Sequence, residues 1–365
     1  RAAGITRLPD HKKMNIKLLK NKAEDHLLEK FGIVPEKSKI LLYKTPEWDA
    51  FCSKSGFPEG VLGMYSCLSY SAHIHEDSRF FPLNFFHEYF GHGLWTEYTD
   101  YGQEKTRLEE KVSRERPGLK NLENSKTYWE LKLLHEATMP QNEGFATWME
   151  HYLSALTGYE KLFLKLIDKM PKDRKDFYQN YKDYEQSYGE HALLYSAGFP
   201  KHYNTAIIED ILKKLFKEDF KSIELALLYG SKKPRSDIDV FIVSDKIQDT
   251  FLNWIDIKSV DPKTLTDMIS HLDISVTEPL FTGELICGNK SYLGQLKETA
   301  LKMPITEKAV TYNIHQAEHA RKVAITNDGD LSKYQTAMGW NRSYFANARL
   351  LINGKKTLTR KGLEQ

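Results

Sequence analysis

The sequence predicts an α+β chain of more than one domain: a mainly helical first part, an α/β segment after it, and a helical C-terminal region. Three observations predict this. A length of 365 residues exceeds that of most single domains. Apolar residues recur at helical spacing through most of residues 15–200. Short runs rich in β-branched residues gather instead between residues 223 and 276. Domain boundaries are placed at 1–203, 204–300 and 301–365, the first where composition changes near Gly198-Phe-Pro-Lys-His-Tyr.

Ile16, Leu19, Ala23, Leu27 and Leu28 set a helix over Asn15 to Phe31, and Ile40 to Tyr43 a short buried strand. Gly60 to Tyr70 reads as a second strand, with Gly63 permitting close backbone approach. His87 to Trp95 reads as helix. So does the charged stretch Glu104 to Arg116, ended by Pro117 and Gly118. Lys126 to Thr138 and Glu143 to Leu156 read as two helices broken by Pro140. Ile207, Ile208, Ile211, Leu212 and Leu215 mark an amphipathic helix. Ile223 to Tyr229, Val240 to Val243 and Leu272 to Val276 read as strands, and helices return from about Glu298 through Gln316 to Ile325 and Tyr344 to Ile352.

Hydrophobic residues at 41% and charged residues at 28% describe a globular chain and exclude a disordered one. A net charge of +2 gives no strong global attraction to nucleic acid or membrane. Cys52, Cys67 and Cys287 lack C-x-x-C spacing, which argues against a disulfide scaffold or a thiolate zinc site and fits a reducing, cytoplasmic compartment. No apolar run approaches the ~20 residues that span a bilayer, so no membrane partner is expected. The opening RAAGITRLPD lacks Met, pointing to a start that is missing or trimmed.

Residues 84–95 read NFFHEYFGHGLW and hold His87, Glu88 and His92 as H-E-x-x-x-H. Zinc hydrolases need these groups: neutral imidazoles hold the ion, and a glutamate takes the proton of the metal's water. Paired histidine ligands on a regular helix sit four apart, because about 400° of rotation returns them to one face. His87 and His92 are five apart. A π-bulge absorbs the extra residue, and Gly91 lowers the cost of the distorted turn. By itself the cluster is equally open to a structural role.

The segment QNEGFATWMEHYL at residues 141–153 resembles the N-E-G-F-A segment of gluzincin aminopeptidases. The H-E-x-x-G-H form with its inserted residue resembles dipeptidyl peptidase III. The resemblance covers about residues 40–200. It implies Glu143, 51 residues after His92, as the third Zn²⁺ ligand, Glu88 as general base, and a peptide or protein substrate. Gly63-Met64 falls about where the aminopeptidases place a G-x-M-E-N strand that docks substrate backbone. Here Tyr65 and Ser66 follow Met64, so the glutamate that recognises a substrate N-terminus is absent. Tyr195-Ser-Ala-Gly-Phe resembles a segment whose tyrosine stabilises the oxyanion, with a half-buried packing role as the alternative. His73, His75, His135 and His151 read as ordinary surface or core residues.

In LLYGSKKPRSDIDVFIV, residues 227–243, Asp237 and Asp239 are two apart on a strand and project together, while Ile238, Val240 and Ile242 face the core. Adjacent carboxylates repel unless divalent cations neutralise them, the two-metal requirement of phosphoryl and nucleotidyl transfer. Gly230 and Ser231 end the preceding strand, where glycine lets the backbone approach a triphosphate. A third carboxylate is expected on a neighbouring strand, and Asp273, 34 residues after Asp239, is the candidate. The order G-S, D-x-D, late Asp resembles minimal nucleotidyltransferases of the polymerase-β superfamily over about residues 204–300. Only five residues separate Ser231 from Asp237, a shorter loop than that family has. The resemblance implies Mg²⁺, a nucleoside triphosphate, and an acceptor that is a protein, a small molecule or RNA. Lys232, Lys233 and Arg235 read as a solvated face, with a phosphate site as the alternative. Lys355, Lys356, Arg360 and Lys361 read as a solvated tail, with phosphate contact as the alternative.

The sequence thus predicts an enzyme with a zinc peptidase site and a nucleotidyltransferase site. The alternative is an active transferase whose first domain is a binding or regulatory module.

Overall fold

The computed structural model describes residues 15–58, 60–116 and 122–364. The chain divides between His202 and Tyr203 into two units, and the class is α+β. Pro117 and Gly118 lie outside the described residues. Among the described residues no helix is long and apolar enough to cross a membrane.

The first unit opens with α1 (Ile16–Phe31), whose buried stripe is Leu19, Ala23, Leu27 and Phe31. Then come β1 (Lys39–Tyr43), α2 (Thr45–Ser55), β2 (Gly63–Ser66) and β3 (Ser71–His75). Their sheet has the order β1-β3-β2, with β1 parallel and β2 antiparallel to β3. The expected strand at residues 60–70 is only its central part. Tyr70, at φ 48°, turns the chain back, and residues 71–75 form the antiparallel partner. The helical remainder is α3 (Phe81–Phe85), a π-helical segment (Phe86–His92), α4 (Gly93–Tyr98), α5 (Asp100–Glu115), α6 (Lys126–Thr157), α7 (Glu160–Ile167), α8 (Lys172–Tyr188) and α9 (Glu190–Ser196).

Helix α6 corrects the expectation of two helices broken at Pro140. It runs through the proline, from a cap at Ser125, which accepts from the Tyr128 amide, to Gly158. A proline removes one backbone donor, whereas a break leaves about four unpaired groups at each of two new ends. Phe145, Trp148 and Met149 on its second half are almost fully buried, each stabilising the unit by roughly 2–3 kcal/mol. That burial holds the second half of the helix against the π segment.

The second unit contains α10 (Thr205–Phe216), β4 (Leu225–Tyr229), β5 (Ile238–Val243), β6 (Thr250–Leu252), β7 (Ile255–Val260), α11 (Pro262–Ser270), α12 (Ile274–Thr282), β8 (Glu284–Gly288), α13 (Lys290–Lys302), α14 (Glu307–Thr326) and α15 (Leu331–Ile352). Its sheet has the order β6-β7-β5-β4-β8; β5 and β7 are parallel and the other pairs antiparallel. Phe241, Val243 and Val260 on one sheet face pack with Leu265, Val276 and Leu293 of the covering helices.

The strand expected over Leu272 to Val276 is instead the entry to α12. Leu272 takes φ 52°, and the Asp273 carboxylate accepts from the Ser275 amide at 2.8 Å, which starts a helix. A short apolar run does not by itself separate a buried strand from a buried helix, and the cap decides here.

Candidate metal centres

His87 and His92 lie on the π segment, where the Gly93 amide reaches the carbonyl of Glu88, five residues back. That backbone returns the two histidines to one face. Their ring centroids are 4.7 Å apart and nearly perpendicular. Gly91 makes the segment's approach to α6 possible, since a Cβ there would sit 2.6 Å from Ala146 Cα. Glu143 comes from α6, its two oxygens 3.7 Å from His87 Nε2 and 3.7 Å from His92 Nε2. Among the described residues His87, His92 and Glu143 are the one group of three whose ligand atoms lie within 4.8 Å of one another.

Two residues that sequence reasoning missed orient this group. His87 Nδ1 donates to Glu150 at 3.1 Å, and His92 Nδ1 donates to the Asn142 side chain at 2.9 Å. Each bond fixes a ring and leaves Nε2 facing the cluster, the usual support of a metal-bound imidazole. The signal for Glu150 was present: it lies seven residues after Glu143, two helical turns on and on the same face.

Burial disfavours charge on His87, but Glu143 and Glu150 overcome it and raise the pKa to about 10. Burial lowers His92 to about 4. Glu143 is held well below the usual carboxylate range: burial opposes ionisation, and the facing His87 and His92 imidazoles, with Arg174, outweigh it. Glu143 Oε2 and Glu150 Oε1 are buried without a hydrogen-bond partner, so the pocket carries more acceptor capacity than the protein satisfies. Two Nε2 atoms and one carboxylate that meet there fit a zinc ion.

Glu88 is 8% exposed, and burial raises its pKa to about 7. Gly63 on the edge strand β2 permits its position, since a Cβ at residue 63 would lie 2.8 Å from Glu88 Cγ. A cavity of about 860 Å³ is lined by His87, Glu88, His92 and Glu143 together with Gly63 and Arg174. Tyr195 does not line it. Its ring is buried, and its hydroxyl donates to the His202 carbonyl at 2.6 Å, so it packs and ties the chain instead of facing an oxyanion.

In the second unit Asp239 stands on β5, and Asp237 lies just before that strand, exposed. The parallel register sets Asp239 opposite Asp256 of β7. The third carboxylate on a neighbouring strand is therefore Asp256. Asp273 is fully buried at the start of α12, where the Tyr312 and Tyr344 hydroxyls donate to it at 2.7 and 3.0 Å. Its role is to cap the helix. Alternation in WIDIKSV could have shown Asp256, because two residues apart on a strand share a face.

Burial and then the charge of Asp256 raise Asp239 to about 6, and burial and Asp237 raise Asp256. Asp239 and Asp256, neighbours that resist joint ionisation, offer the oxygen donors that suit a hard divalent cation such as Mg²⁺, although with Asp237 they do not close to within 4.8 Å as the histidine cluster does. Gly230 takes φ 78°, and a Cβ there would lie 2.0 Å from Asp239 Oδ2. The turn thus presses on the carboxylate, and the Ser231 amide bonds it. Ser231 itself is exposed, and Lys232 pairs with Glu284 at 2.5 Å.

No family model and no curated protein matches the chain. Among solved structures it is similar to a nucleotidyltransferase-like protein from Exiguobacterium sibiricum 255-15, at 11% identity and a TM-score of 0.26. The alignment covers 43% of this chain and 62% of that one. A likeness of this degree carries no argument, and the functional reading stands on the two sites.

Proposed function

We propose that the chain carries two metal-dependent activities: zinc-dependent hydrolysis of a peptide bond in the first unit and nucleotidyl transfer in the second. The observation that carries the first is the convergence of His87, His92 and Glu143 on one point, with Glu88 lining the same cavity. A bound zinc supplies Lewis-acid polarisation and a water nucleophile at neutral pH. Glu150 and Asn142 hold the imidazoles in register for it. Glu88, buried and lining the same cavity as the ligands, accepts a proton from the attacking water and returns it to the leaving amine. The purified chain should hold one zinc, and Glu88→Gln should keep the zinc while hydrolysis of a peptide library is lost. Absence of zinc, or full hydrolysis by that variant, overturns the assignment.

In the second unit Asp237, Asp239 and Asp256 would hold Mg²⁺, and the Gly230–Ser231 turn beside Asp239 would receive the triphosphate. Magnesium neutralises phosphate charge when bound. Label from an α-phosphate-labelled nucleoside triphosphate should enter an acceptor with the native chain and not with Asp239→Asn.

The placement of Tyr195 favours a second reading, in which only the transferase is active and the first unit binds its acceptor. The hydroxyl expected at the oxyanion is engaged with the His202 carbonyl. Stoichiometric zinc without hydrolysis of any peptide would support that reading.

A further inference from the structure

The C-terminal segment after α15 is built onto the second unit and does not trail from it as a solvated tail. Lys356 Nζ donates to the Leu301 carbonyl at 2.5 Å and the Met303 carbonyl at 2.9 Å, closing the last turn of α13. Leu358 packs against the apolar cluster under the sheet, and Leu363 against the one that includes Tyr344. Between these anchors the Arg360 amide donates to the Glu278 carboxylate of α12, and its guanidinium lies over the Trp340 ring at 4.1 Å. A planar cation laid on an indole face keeps its orientation at low entropic cost.

We propose that Arg360 is a nucleotide-binding residue that contacts the polyphosphate of the triphosphate held at Asp239 and Asp256. This rests on the transferase reading of that site. Three features support it. Leu358, two residues before Arg360, packs against the same apolar cluster as Tyr229, which lies directly opposite Asp239 in the sheet, and the guanidinium's charge works against the raised pKa of Asp239. Lys258 cannot easily take the same role, because it is half-buried and its ammonium donates to Ser275 at 2.6 Å. Arg360 is exposed, so a ligand can reach it. A guanidinium fork meets two phosphate oxygens at once, the geometry that suits a polyphosphate beside a pair of metal-loaded carboxylates.

The test is equilibrium binding with Mg²⁺ to the full chain, using ATP, CTP, GTP and UTP and the corresponding monophosphates. For whichever base binds, Arg360→Met should weaken the triphosphate on the order of tenfold or more and the monophosphate much less. Arg360→Lys should fall between. Melting temperature would show that the variants remain folded, and Lys333→Met, an exposed lysine on α15 paired with Asp330, serves as a charge control with native binding. Unchanged triphosphate affinity in Arg360→Met, or equal loss of tri- and monophosphate, overturns the inference while leaving the transferase reading in place. Failure of the native chain to bind any of the four triphosphates overturns both.

Discussion

Asp239 and Asp256 lie opposite one another on adjacent parallel strands, and the charge of Asp256 is felt at Asp239 more strongly than that of Asp237. This pair faces the Gly230 turn, whereas Asp273 is spent on a helix cap. The two aspartates should therefore fail differently. Asp256→Asn should leave the melting temperature near native and lower nucleotidyl transfer by on the order of a hundredfold or more. Asp273→Asn should lower stability by about 2–3 kcal/mol, because it weakens bonds to Tyr312, Tyr344 and the Ser275 amide in a fully buried site. Denaturation midpoints read beside activity separate the two; an unstable Asp256→Asn would show that this pair is structural.

The raised pKa of Asp239 makes the site a stability liability without metal. A carboxylate that titrates at about 6 in the fold and near 3.8 when unfolded favours the folded state below pH 3.8 relative to higher pH. That contribution is lost as pH rises through 6. Asp239→Asn removes the titration, so in metal-free protein it should raise stability by about 1–2 kcal/mol at pH 8, after discounting for solvent screening, and by little at pH 4. Urea midpoints at the two pH values check this, and a gain of equal size at both would contradict it.

Tyr195 and Glu88 were both expected to act on a substrate, and only Glu88 reaches the cavity. Tyr195→Phe should retain peptide hydrolysis within about twofold of native and lose about 1 kcal/mol of stability with its bond to His202. Initial rates on the best library peptide, measured at one zinc per chain, decide it. A hundredfold loss would mean that the tyrosine swings to the substrate.

What could be read from the sequence was what local spacing determines. The five-residue interval between His87 and His92 required a distorted helix, and the structure forms a π segment there. The helix from Ile16 and the strands around Leu225 and Ile238 follow from periodicity. What escaped depended on tertiary context. Whether LDISV is strand or helix turned on the cap made by Asp273, and the helix through Pro140 on burial further along the same element. Asp256 gained its meaning only from its register with Asp239, which no local pattern contains. The tail around Arg360 has the composition of a solvated segment, and its contacts with Leu301, Met303 and Trp340 span 20 to 55 residues of sequence.

The π segment and α6 meet most closely at Gly91, so the zinc site should be sensitive to one added methyl group there. A Cβ at residue 91 would press on Ala146 at 2.6 and 2.7 Å, against backbone and a Cβ that have no rotamer to escape into. The two elements must separate, at a cost of about 1–3 kcal/mol. His87 and His92 ride on one of them and Glu143 on the other, so separation pulls the ligands apart. Gly91→Ala should thus weaken zinc affinity by on the order of tenfold to a hundredfold even when the variant is folded. Competition with a chromophoric chelator measures this. The paired change Gly91→Ala with Ala146→Gly should recover only part of the affinity, because it removes the Cβ contact at 2.7 Å and leaves the residue 146 Cα at 2.6 Å. Recovery of stability without recovery of zinc affinity would show that Gly91 matters for its backbone conformation and not for the approach of α6.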